Sequence, residues 1–412
     1  MAVLVIKIDR PAYGGMSIGR HDGKIVMVKG AVMPGETAEV VIEDEKKDYL
    51  SASVKKIIEP SPRRIVPACK YSGRCGGCQL QHIPYDLQLE VKEEILRDCL
   101  RRLAKEETRL SGPLFDGNPW NYRVRGQFKV SREGIGFCKN NSIEVVDIDS
   151  CPLMTEEINT LLVKIKPAVR DFDMTEIHIT AGDCFTALVR LPSRTKHAFD
   201  MNALSSRFLD LGFSGICIET PDKKISRYGE SCVALDLRDL KYSVSPMTFI
   251  QSHWRLNQRV AGFIKDSLGP LRGARVLDMY SGAGNFSMPL APDAVVTALE
   301  ENPYAAEDGR RSLEINGIKN YRFITSSAEN FHTREDFDIV ILDPPRQGLA
   351  NRVINSVLSI GPEKIVYISC NPATFARDLK KLQNKYDMES VRMIDFFPQT
   401  FHIETLAFLR LR

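Results

Sequence analysis

The chain has 412 residues, too many for one ordinary compact domain. Its 43% apolar and 26% charged residues are the balance of a soluble globular protein, which excludes a disordered or fibrous one. A formal net charge of +3 permits a nucleic-acid partner without requiring one, so any basic surface has to be local.

The opening Met-Ala-Val-Leu-Val-Ile meets Lys7 too soon for a signal segment, and no later run approaches ~18 apolar residues. No membrane partner and a cytoplasmic location are expected. Ten cysteines fit a reducing compartment, where clustered thiols serve as metal ligands or catalysts more often than as disulfides.

Residues 1–58 alternate short β-type runs (Val3–Ile8, Lys24–Val28, Ala38–Ile42, Ser51–Ile58) with glycine turns, the pattern of a small OB-like β-barrel. Pro60, Pro62 and Pro67 mark a linker. Residues 59–110 then hold a cysteine cluster and a helix, whose apolar positions 87, 91, 95, 96, 99 and 103 keep a helical period. Residues 111–245 read as a β-rich central domain. Within it Asn121–Ser131 alternates, with Tyr122, Val124, Phe128 and Val130 on one face and Arg123, Arg125, Gln127 and Lys129 on the other. The basic face is expected to track RNA phosphates, a solvated strand face being the plainer alternative. Residues 246–412 alternate strands and helices as a doubly wound, Rossmann-like α/β sheet does, making the chain α/β overall.

In that last unit the strand Arg275–Met279 runs into Tyr280-Ser-Gly-Ala-Gly-Asn285, with a helix expected from Phe286. Glycines there allow a tight turn and close approach to a ligand. Glu300 ends the next strand 22 residues after Asp278, placed to accept from ribose hydroxyls. Ser287 stands where a dinucleotide fingerprint has its third glycine, which disfavours nicotinamide binding. Asp343-Pro344-Pro345-Arg346 follows a third strand, and its prolines stiffen the loop beside the aspartate.

Cys370 falls just past the strand Lys364–Ile368, at the same sheet edge. A free cysteine is commonly a packed core residue; at a strand end beside a proline-stiffened loop it suits a nucleophile. Carbon 5 of uracil becomes reactive when a thiolate adds to carbon 6, and the carbon 5 proton must later be removed by a base. Glu404 lies in a poorly charged apolar segment where burial raises basicity, so it is the expected base, with His402 as the alternative.

These four motifs together resemble the RNA 5-methyluridine (uracil-C5) methyltransferases. The resemblance implies Cys370 as nucleophile, Glu404 as base, and S-adenosylmethionine held by Gln251, Tyr280, Asn285, Glu300, Ser327 and Asp343. Two positions depart from the family pattern: His253 stands where asparagine is common, and Ser327 where an acid or amide reaches the adenine. Residues 1–58 resemble a TRAM domain, a small RNA-binding barrel, so the likeness covers nearly the whole chain.

Cys69, Cys75 and Cys78, with Cys151 as a fourth thiolate, suit either tetrahedral zinc or a [4Fe–4S] cluster. Resemblance to the ribosomal-RNA branch implies the cluster. It also implies RNA as partner, 23S rRNA first and tRNA second, for a chain expected to be a monomer. Two rival readings are amino-group methylation, since Asp343-Pro-Pro is similar to loops that hold an exocyclic amine, and a non-catalytic metal-stabilised RNA-binding protein.

Overall fold

A computed structural model of the chain describes residues 2–107, 109–169, 172–193 and 200–412. Strands β1 (Val3–Ala12), β2 (Met16–His21), β3 (Lys24–Lys29), β4 (Thr37–Glu45) and β5 (Tyr49–Glu59) close into a barrel in the order β1-β2-β3-β5-β4. Ile6, Ile8, Val26, Val28, Val40 and Ala52 point inward and are buried, as period-two alternation requires. Closure leaves no free sheet edge. The four expected strands are present with wider bounds, and β2 is an addition. Its Gly19 backbone passes so near β1 that a Cβ would sit 2.6 Å from the Lys7 carbonyl, and that glycine interrupts the apolar alternation.

Helix α1 (Tyr85–Cys99) continues through a π-helical turn, Leu100–Ala104. The stretch 59–110, expected as one unit, is divided between two cores. Leu96, Leu100 and Ala104 pack against the C-terminal sheet, whereas Tyr71, Cys69 and Cys75 pack against the central one.

The central unit contains β6 (Arg125–Ser131), β7 (Gly134–Cys138), β8 (Val145–Asp147), α2 (Glu156–Val169), β9 (Glu176–Ala181), β10 (Phe185–Arg190), α3 (Met201–Asp210), β11 (Gly215–Glu219) and β12 (Ile225–Gly229). Its seven strands run in the order β12-β11-β10-β9-β6-β7-β8, and α2 and α3 bury Ile158, Leu162, Leu204 and Phe208 in its core. A hairpin of β13 (Val233–Leu237) and β14 (Leu240–Val244) follows. Its Val233, Leu237, Tyr242 and Val244 belong to the core of the next sheet, so the last unit begins near residue 233 and not at 246.

That unit comprises α4 (Trp254–Leu268), β15 (Arg275–Met279), β16 (Val295–Glu300), α5 (Pro303–Ile315), β17 (Tyr321–Thr325), β18 (Ile339–Leu342), α6 (Asn351–Ile360), β19 (Lys364–Ser369), α7 (Pro372–Leu382), β20 (Tyr386–Ile394) and β21 (Glu404–Leu411). The sheet order is β17-β16-β15-β18-β19-β21-β20, with β21 antiparallel to both neighbours. Strand order reverses between β15 and β18, which opens a crevice at the carboxyl ends of the parallel strands. The helix expected from Phe286 is replaced by one 3-10 turn, Met288–Leu290, because Pro289 removes a backbone donor and Ser287 turns its hydroxyl onto Asp278. Among the described residues no helix is long and apolar enough to cross a membrane.

Candidate active site

The loop after β15 is shaped by left-handed backbone at Tyr280 (φ 65°), Gly282 (φ 55°) and Gly284 (φ 89°). A Cβ on Gly284 would meet the Tyr321 hydroxyl at 2.7 Å. Below it the buried Asp278 accepts from the Ser287 hydroxyl at 2.5 Å, and Ser287 lies 2.7 Å from the Tyr321 hydroxyl. Ser287 therefore fixes the loop from beneath, a task glycine could not perform.

Beyond this loop opens a cavity of about 520 Å³, bordered by all six expected cofactor residues and by Cys370, Glu404 and Arg346. Glu300 accepts the Gly282 amide at 2.8 Å and the Asn302 amide at 2.7 Å, one on each oxygen, leaving further lone pairs for a ligand. Asn285 exchanges amide hydrogen bonds with the buried Asn257 of α4, at 2.7 and 2.9 Å. Gln251 is buried and its Oε1 has no partner, an orphaned acceptor on the cavity wall. Burial, reinforced by the Glu300 charge, pushes the Asp343 carboxyl up to about 7.

Ser327 borders the cavity as expected, and so does Glu329, which the sequence reading passed over. Its carboxylate accepts from the Tyr280 hydroxyl at 3.0 Å. The signal was there: Glu329 is the one acid in Ser326-Ser-Ala-Glu329, two positions beyond the serine that departs from the family pattern. His253 also finds its reason. It caps α4, Nδ1 accepting the Leu256 amide at 3.4 Å, and stacks on Tyr122 at 4.6 Å. Burial holds the imidazole down at about 4, so it stays neutral and Nδ1 stays an acceptor.

Burial first, then the Glu404 and Asp343 carboxyls, push the Cys370 thiol up to about 12, with Arg346 opposing. Burial likewise raises Glu404 well above the usual carboxyl range. His402 packs among Phe397 and Phe401, lies 3.3 Å from an Arg346 nitrogen, and is held by burial at about 4.

Residues 221–412 match the family model described as tRNA (Uracil-5-)-methyltransferase, and residues 2–55 match the TRAM domain. An RNA methyltransferase of Aquifex aeolicus is 34% identical over 99% of both chains. The 23S rRNA (uracil(1939)-C(5))-methyltransferase RlmD of Salmonella paratyphi A is 31% identical over 98% of this chain and 95% of its own. The chain belongs to the RNA uracil-C5 methyltransferase family. Its fold agrees with the tRNA (uracil-54, C5)-methyltransferase of Pyrococcus abyssi, solved with S-adenosyl-L-homocysteine, at a TM-score of 0.78. That match has 26% identity and covers 98% of this chain and 99% of the other.

Away from the methyltransferase crevice, Cys69, Cys75, Cys78 and Cys151 line one small cavity of about 60 Å³ together with Tyr71, Gln81 and Arg123. The Cys69 amide donates to Gln81 at 3.1 Å, the Gly77 amide to the Cys75 sulfur at 3.4 Å, and Asn159 brackets the Cys151 backbone at 2.8 and 3.1 Å. Burial pushes the Cys78 thiol up to about 12. Among the described residues no three His, Cys, Asp or Glu side chains are grouped to hold a metal ion.

The basic strand face expected over Asn121–Ser131 is not formed. The strand begins only at Arg125, whose buried guanidinium donates to the Thr180 hydroxyl at 2.9 Å and to the Ser245 carbonyl at 3.2 Å, and also bonds the Thr248 carbonyl. Arg123 turns to the cysteine cavity, its Nε buried without a partner. Only Gln127 and Lys129 are exposed, and Lys129 is paired with Glu176.

Proposed function

We propose that the protein transfers a methyl group from S-adenosylmethionine to carbon 5 of a uridine in RNA, with Cys370 as covalent nucleophile and Glu404 as base. One observation carries the reading: a cysteine and a buried carboxyl border the same cavity as the glycine-turn loop and its acidic neighbours. Gln251, Tyr280, Asn285, Glu300, Ser327 and Asp343 would hold the cofactor, and the orphaned Gln251 oxygen suits a ligand N–H or O–H. Bound there, S-adenosylmethionine supplies an electrophilic methyl group.

Cys370 gives its proton to solvent as its sulfur bonds to carbon 6, and the electron pair between carbons 5 and 6 moves toward O4. Carbon 5, now nucleophilic, would take the methyl, with S-adenosylhomocysteine as the leaving group. The Glu404 carboxylate then removes the carbon 5 proton, the double bond re-forms, and the sulfur leaves carbon 6. Burial makes Glu404 a stronger base than a solvated carboxylate.

Among substrates, 23S rRNA is favoured by the RlmD relative, and tRNA is the second reading because of the Pyrococcus abyssi likeness. We further infer that Cys69, Cys75, Cys78 and Cys151 hold a [4Fe–4S] cluster, which would pin residues 69–78 to the central sheet. Support comes from four thiols on one cavity wall, beside an arginine whose charge offsets that of a thiolate-ligated group.

The two catalytic roles act at different stages, so their variants should fail differently. Cys370→Ala should give neither methylated RNA nor a covalent complex. Glu404→Gln should add and methylate but not release, so a methylated protein–RNA adduct accumulates on a denaturing gel, dependent on cofactor. Methylation by Cys370→Ala excludes the nucleophile; normal turnover by Glu404→Gln transfers the base role to another group, His402 first.

A further inference from the structure

The tip of the β1–β2 hairpin reaches out of the barrel into the catalytic region. Gly14 (φ 89°) and Gly15 (φ 74°) turn the chain back, and a Cβ on Gly15 would lie 3.1 Å from the Phe401 ring, on the segment leading to Glu404. Beside them the Tyr13 hydroxyl donates to the carbonyl oxygen of Cys370 at 3.3 Å, a contact across 357 residues of sequence. The Tyr13 ring meets Phe401 edge-on at 6.2 Å. Farther back, Arg10 of β1 pairs with Asp98 of α1 at 3.1 Å and fastens the barrel in this position.

We propose that Tyr13 is a positioning residue for the nucleophile, so that the barrel supplies part of the active site as well as a surface for RNA. The carbonyl it holds belongs to the peptide joining Cys370 to Asn371. The far end of that peptide is fixed too, because Asn371 caps α7 by accepting the Ala373 amide at 3.0 Å and the Thr374 amide at 3.5 Å. With Ser369 held in β19 on the other side of its Cα, a peptide plane held at both ends fixes the direction of the Cys370 Cα–Cβ bond, and with it the approach of sulfur to carbon 6. Burial raises the Tyr13 phenol above its ordinary range, so it remains a donor at any working pH.

This inference rests on the proposed covalent role of Cys370, and the test separates the two. RNA carrying 5-fluorouridine has no carbon 5 proton to lose, so the methylated adduct persists and its rate of formation is read directly in a single turnover. At saturating RNA, Tyr13→Phe should slow adduct formation about three- to tenfold, as loss of one hydrogen bond implies. Affinities for RNA and for S-adenosylhomocysteine should stay within about twofold of wild type, that hydrogen bond touching neither ligand. Val40→Ala, which opens a gap in the barrel core opposite the start of β1, should lower thermal stability and leave the saturated rate unchanged. A wild-type rate for Tyr13→Phe, with wild type forming adduct normally, overturns this inference alone. Equal slowing by Val40→Ala overturns it also, because the hydroxyl would then act only through general stability. Absence of adduct in wild type overturns both readings together.

Discussion

At the scale of single residues, the proposed site pairs a reluctant thiol with a carboxyl whose burial raises its basicity. A thiol near 12 is ionised to about one part in 10⁵ at pH 7, so before RNA binds Cys370 is shielded from adventitious electrophiles. Only the deprotonated form reacts, and below its pKa that fraction grows tenfold per pH unit. Alkylation of Cys370 by iodoacetamide in the RNA-free protein should therefore rise about tenfold per unit from pH 7 to 10 without levelling. Mass spectrometry of the Cys370 peptide reads this, and a plateau near pH 8.5 would contradict the burial argument. That Cys370, Glu404, Asp343 and Glu300 border one cavity was legible in the sequence, because each stands next to the end of an apolar strand, where side chains reach the crevice. Glu329 and Asn257 were not. Their roles come from partners on other elements, the Tyr280 hydroxyl and the Asn285 amide, and no local pattern marks them.

At the scale of elements, Arg125 shows where alternation misleads. The period-two reading placed it on an open face, but β6 starts at this residue and its guanidinium enters the seam between the central sheet and the segment that carries Gln251. A buried arginine bonded to two carbonyls of that segment clasps one unit to the other. Arg125→Met should cost about 2–4 kcal/mol, since it strands the Ser245 and Thr248 carbonyls. It should also weaken S-adenosylhomocysteine binding, read by calorimetry, through a loosened Gln251. The salt dependence of RNA binding should not change, whereas a lost phosphate contact would lower the log–log slope by roughly 0.7–0.9. A changed slope with unchanged stability would return Arg125 to the RNA surface. Most of the expected strands and the helix after Leu87, by contrast, followed the sequence, because glycine turns and apolar periods are local signals; the helix expected from Phe286 did not, since Pro289 interrupts it.

At the scale of the molecule, the units interleave. The loop before Glu404 is held by residues from the segment around α1: Lys92, itself buried, bonds Asp395 at 2.6 Å and the Phe397 carbonyl at 3.0 Å. The Gln79 and Leu80 amides both donate to the Gln399 carbonyl, at 3.1 and 3.0 Å, and Gln79 follows Cys78 directly. Three boundaries drawn along the sequence could not show this, since linear segmentation cannot tell which core a helix joins. The cysteine cavity thus adjoins the support of the catalytic loop. Protein purified without oxygen should contain about four irons per chain. Cys78→Ser should lose the iron and melt several degrees lower, as release of a bound group does. Stoichiometric zinc without iron would replace the cluster reading by a zinc one.

Interleaving also dictates an order of events when the chain folds. Barrel strands pair only within residues 3–59, but Tyr85 reaches Asp395 and Gln88 reaches Gln399 across 310 and 311 residues. Contacts that distant form late, after the entropy of a very long loop has been lost. Until α1 docks, the flank of α7 and β20 that receives α1 and the turn after it lies bare, with the loop before Glu404 open beside it. By this ordering, the docking of α1 onto the C-terminal unit is also what holds the loop before Glu404 in place.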